Sequence, residues 1–203
     1  MKYKRIILLL IFSLYSHASE NLPISVESAI QFNTVCAKCH EGQCSGRLSF
    51  DDNPNVASSH INRYVPNSSK TQVKELYAIL KNMKNQCVMF FPDIDLNNKT
   101  SWLEKELLDY SLASRKSYFI PLGLLKKGIY KLKIDANKSQ LYNIIIISKN
   151  FEIVLDEYSS SCKEVNSLSY VVSQTKEYYL RIESRKQLII TSVNNFEDNK
   201  TVK

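Results

Sequence analysis

Cys36-Ala37-Lys38-Cys39-His40 is the stretch whose residue types and spacing can do chemistry. Two cysteines two residues apart, followed at once by a histidine, form the attachment pattern of a c-type haem. Two thiols on one helical turn can add to the two vinyl groups of a single haem edge. The next residue then turns its imidazole toward the iron as the proximal ligand. Zinc is the competing chemistry, since Cys36, Cys39, His40 and the nearby Cys44 are all possible ligands.

These residues need a helix beneath them. Pro23 to Thr34 supplies a start, with Ser25 placed to cap and Val26, Ala29, Ile30 and Phe32 forming an apolar stripe at helical spacing. After His40, Gly42 and Gly46 mark a loop that can fold back over the proximal side, and Arg47 in it could reach a haem propionate or stay solvated. Residues 51–55 form a turn cluster, and residues 56–66 read as a short helix ended by Pro66. The clearest helix opens at residues 67–70 and runs to about Gln86, with Val73, Leu76, Tyr77, Leu80 and Met83 or Lys84 on one face. An irregular stretch containing Met89 and Pro92 follows. Ser101 and Glu104 then have capping-box spacing for a further helix over residues 102–112.

Helix, haem motif, loop, helix, apolar loop with methionine and proline, helix: residues 22–114 in this order resemble a small class I cytochrome c. Phe32 stands four positions before the first cysteine, where single-haem cytochromes c carry an aromatic residue. Ser28 stands where the family often has glycine, which implies a looser crossing of the first and last helices. The resemblance implies a methionine as sixth iron ligand, in the loop before the last helix. Met89 fits that place, and its soft neutral thioether would favour reduced iron. His60 and Met83 are the other distal candidates. Met83 lies on the helical stripe, and His60 becomes the strong remaining ligand if the 70–86 helix closes the haem unit.

The pattern changes after Arg115. Seven short runs rich in β-branched and aromatic residues lie between turn-formers, at 118–120, 129–134, 142–147, 151–155, 168–172, 178–182 and 188–191. They predict an antiparallel β-sandwich. This half resembles, through its Tyr178-Tyr179-Leu180-Arg181-Ile182 run alone, the jelly-roll accessory domains of exported bacterial enzymes, which implies a spacer or docking module. The expected fold is therefore α+β: an N-terminal all-α cytochrome c-like haem domain at 19–114, then a β-sandwich accessory domain at 115–203.

Residues 1–18 read as a signal peptide: Lys2, Lys4 and Arg5, a short apolar run, then Ser16-His17-Ala18. Retention of this segment as an anchor is the alternative, although its apolar run is shorter than the ~20 residues of a membrane span. Export fits the resemblance, because c-type haem is attached outside the bacterial cytoplasmic membrane, and it implies a periplasmic protein. Without residues 1–18 the net charge falls from +7 to about +4. It is split between −2 over residues 19–114 and +6 over residues 115–203. Scattered basic residues on an exported chain argue against nucleic acid, and the basic half is a candidate docking surface for a partner. Of the five cysteines, Cys44 and Cys87 could bridge, closing a loop of about 43 residues, or stand as two buried thiols. Cys162 reads as a small buried hydrophobe.

These residues lead to one covalent haem c and electron transfer between redox partner proteins. No catalytic side chain is assigned. The alternatives are a redox enzyme or a gas or peroxide sensor with an open or His60-ligated distal site, and a haem-bearing subunit of a larger respiratory complex.

Overall fold

The computed structural model describes residues 23–41, 53–96, 99–137, 140–159 and 167–198. The signal-peptide region, the loop holding Cys44 and Arg47, and Cys162 lie outside the described residues. No helix among the described residues is long and apolar enough to cross a membrane.

The expected all-α cytochrome domain is not what forms. The chain is mostly β, built on two four-stranded antiparallel sheets, with few and mostly short helices. One sheet has the order β1 (Ser101–Leu103), β8 (Ile190–Glu197), β3 (Gly128–Ala136), β6 (Leu168–Val172). The other is β2 (Ser117–Leu125), β7 (Lys176–Ser184), β4 (Tyr142–Ser148), β5 (Ile153–Tyr158). Inward-facing residues of both sheets meet in one core that includes Leu132, Val193, Ile120, Ile144, Leu180 and Ile182.

The clearest departure from expectation is at residues 101–112. Ser101–Leu103 is not a helix but a strand, paired antiparallel with β8 so that Trp102 lies opposite Val193. Only one α-helical turn follows, α5 (Glu104–Leu107), capped where the Glu106 carboxylate accepts from the Leu103 N–H at 2.9 Å. A short 3-10 turn ends at Tyr110. The reason is burial: Trp102, Leu107 and Tyr110 all enter the core between the sheets. The apolar area they remove from water outweighs the ~0.5–2 kcal/mol that a cap contributes. Trp102→Ala is expected to cost about 3–5 kcal/mol and lower Tm by roughly 6–20 °C. A circular-dichroism melt unchanged within about 2 °C would place this segment outside the sandwich.

The helices form a layer against the second sheet. Residues 26–40 are one continuous helical run: α1 (Val26–Gln31), a π-helical turn (Phe32–Cys36) and α2 (Ala37–His40). Ser25 caps α1, its Oγ accepting from the Ser28 N–H and donating to Glu75 at 2.6 Å. Ala29 and Phe32 pack with Ile61 of α3 (Ser58–Tyr64) and with Val73, Leu76, Ile79 and Met83 of α4 (Lys70–Gln86). Ile30, on another side of α1, joins Met89, Phe119, Ile147 and Tyr179 in a cluster on the outer face of the sheet. Both faces of that sheet are therefore covered. This explains the unbroken Ile144 to Ile147 run, where Ile144 and Ile146 face the sandwich core and Ile145 and Ile147 face the helical layer.

Candidate functional site

The site is built on the π turn. The Ala37 N–H donates to the Phe32 carbonyl five residues back, so the ladder slips by one residue there. That slip rotates everything after it by about 100° relative to an unbroken α-helix. Side chains fill the loosened backbone: Thr34 Oγ1 donates to the Ile30 carbonyl at 2.8 Å, and Asn33 Nδ2 to Ala29 O at 2.9 Å and Phe90 O at 3.0 Å. Asn33 thus also ties the helix to the strap around Met89, and both polar residues are buried.

Cys36, half-buried, and Cys39, exposed, are free thiols one turn apart. Burial, with Cys39 beside it, pushes the Cys36 thiol up to about 11. A thiol held protonated is the opposite of the activated thiolate that disulfide exchange requires.

The His40 ring faces His60 of α3 with ring centres 6.1 Å apart and planes at 69°. Tyr64 flanks His60 at 5.1 Å. His40 Nδ1 is buried with no hydrogen-bond partner among the described residues. Burial, then the Lys84 ammonium, then His60 hold the His40 imidazole below its ordinary range, leaving it neutral at pH 7 and its lone pair available. Lys84, on the last turn of α4, is itself buried, which lowers its own pKa.

No family model matches the chain, and no curated protein matches it.

Cys36, Cys39, His40 and His60 could hold a haem c. A metal bonded to each ring at ~2 Å, with about 1 Å more from nitrogen to ring centre, sets two imidazole centres roughly 6 Å apart. The structure has them at 6.1 Å, and the paired thiols lie on the adjoining turn. Zinc fits less well. Among the described residues no three His, Cys, Asp or Glu side chains converge to hold an ion, and the fourth zinc candidate, Cys44, lies outside the described residues.

The structure pairs His40 with His60 beside the turn that carries Cys36 and Cys39, and Cys36 also packs on the cluster that holds Met83. Met83 packs among Ala29, Phe32 and Leu76. Met89 is buried against the outer face of the sheet, where its N–H donates to the Lys149 carbonyl at 2.7 Å. Glu41 and Arg181 are neighbours of the site that sequence reading passed over. Arg181 had a signal: a charged residue inside the otherwise apolar Tyr178 to Ile182 run needs a buried partner.

Cys87 ends α4 in a left-handed conformation and is disulfide-bonded. Its partner lies outside the described residues, as do Cys44 and Cys162, so the expected Cys44–Cys87 pairing falls outside them too. Five cysteines with one bridge leave three thiols. Alkylation of the denatured haem-free chain without reductant should therefore add three labels by intact mass. Five labels would mean that no bridge forms.

Proposed function

We propose that this chain is a haem c electron carrier in which Cys36 and Cys39 would anchor the haem and His40 and His60 would both hold its iron. The observation that carries the reading is the 6.1 Å facing of the two imidazoles beside two free thiols. When bound, the haem supplies a one-electron iron couple. The residues of the chain do the rest. Cys36 and Cys39 would fix the haem edge, His40 would supply a neutral nitrogen, and His60 would supply a second nitrogen that leaves no place for a substrate. A site closed on both sides carries electrons rather than activating a ligand. A redox partner protein is the expected source and sink, and the basic residue balance of the C-terminal half is the proposed docking feature. Export and cleavage near Ala18, placing the protein in the periplasm, belong to the same proposal and rest on the basic and apolar pattern of residues 1–18.

The exposure of His60 favours a second reading, in which it yields its place to nitric oxide, carbon monoxide or peroxide. One preparation tests both. The purified protein should carry one haem that resists acid-acetone extraction, with a low-spin ferric spectrum that carbon monoxide leaves unchanged after reduction. A carbon monoxide adduct on the ferrous form selects the second reading. A covalent haem surviving in the Cys36→Ser/Cys39→Ser double variant, or stoichiometric zinc in place of haem, overturns both.

A further inference from the structure

We infer that Arg181, through Glu41, is the positioning residue that aims His40 at His60, so that the β-sandwich is a wall of the ligand site; this rests on the reading of His40 as an iron ligand. Glu41 directly follows His40 and ends α2, its backbone leaving the helical range at ψ 133°. His40 is the last residue of the helical run, so what holds Glu41 bears directly on how the His40 ring is held. The fixing comes from 140 residues away: Arg181 Nη1 and Nη2 donate to the two Glu41 carboxylate oxygens at 3.1 and 2.9 Å. Two parallel charge-assisted hydrogen bonds restrain orientation as well as distance.

The anchor is stiff. Arg181 lies on β7, flanked in register by Phe119 of β2 and Ile145 of β4, and its side chain is only 5% exposed. Its guanidinium sits 5.9 Å from the Phe119 ring centre, and Phe119 in turn stacks on Tyr179 at 5.3 Å. Two residues further along the same face of β7, Glu183 accepts from Lys38 Nζ at 2.9 Å. The haem-motif turn is thus held at Lys38 and at Glu41, on either side of Cys39 and His40. Lys38 is largely exposed and contributes little alone. The fork, with Arg181 buried and Glu41 half-buried, is the fixing element.

A buried ion pair is weak grounds for stability, since apolar replacements of both partners are often neutral or stabilising. That separates positioning from stability experimentally. The Glu41→Ala/Arg181→Met double variant strands no buried charge and keeps an apolar side chain over Phe119. Its Tm should equal or exceed that of the wild type. In the haem-free chain, the NOE between the His40 and His60 rings, expected in the wild type, should fall several-fold. In the haem-loaded protein the low-spin ferric fraction should drop below half. Arg181→Lys, which restores charge without the fork, should recover part of both. A double variant that keeps the wild-type NOE and low-spin fraction overturns the inference, as does a wild-type chain without that NOE. Wild-type protein that carries no covalent haem overturns the haem reading instead, and the NOE comparison still decides the role of Arg181.

Discussion

A chain cut after Ser114 is expected to lose the fold around the haem motif, although every candidate ligand lies upstream of the cut. Ile30 and Met89 are buried against Phe119, Ile147 and Tyr179, all of which the cut removes. Exposing two such side chains costs about 3–6 kcal/mol, a large part of the roughly 5–15 kcal/mol that holds a typical domain together. Trp102, Leu107 and Tyr110 would lose the rest of the core they share, and Glu41 would lose Arg181. The truncated chain should melt without cooperativity and bind haem, if at all, with a high-spin spectrum. A sigmoidal circular-dichroism melt close to that of the full chain, together with a low-spin haem, would show instead that the helical layer stands by itself.

Replacing His60 by alanine should switch the ferric haem from low to high spin almost completely while leaving the fold intact. His60 is exposed, and surface changes of that kind usually stay within about 0.5 kcal/mol. Met89→Leu makes the converse control. Met89 is 2% exposed and packed among apolar side chains, so a volume-conserving change there should cost less than about 1.5 kcal/mol and leave the spectrum low-spin. Optical spectra of the two ferric variants decide between the ligands. High-spin Met89→Leu beside low-spin His60→Ala would return the distal place to the methionine.

Local signals in the sequence translate into local structure where burial agrees with them. Ser69 caps α4 as its position suggests, accepting from the Gln72 N–H at 3.1 Å, and all seven strand-like runs after residue 115 contribute to named strands. The same kind of signal misleads at Ser101 and Glu104, because capping-box spacing says nothing about where Trp102 will be buried. The Ile144 to Ile147 run required apolar cover on both faces of its strand, a signal that the differing periodicities of the two segments do not carry. The helices supply that cover. Within the site, the adjacency of Cys36, Cys39 and His40 is legible because it is a matter of spacing along one helical run. The facing of His40 and His60 is not, because it depends on how α3 crosses the π turn. The fork between Glu41 and Arg181 is a contact between residues far apart in the chain, and no local pattern encodes it.

That separation in the chain also orders events in time. β7 carries Arg181 140 residues after Glu41, so at about 5–20 residues per second it is made roughly 7–28 seconds after the turn it will anchor, and in an exported chain it also crosses the membrane later. Until then the turn has no sheet to lie on, and its two thiols belong to a chain that is still locally unfolded. Non-local contacts of this kind form late in folding, since their loop entropy must be overcome first. The interval before β7 arrives is when Cys36 and Cys39 are most open to covalent chemistry, so in the proposed haem c carrier the additions to the vinyl groups would precede the docking of the turn on the sheet.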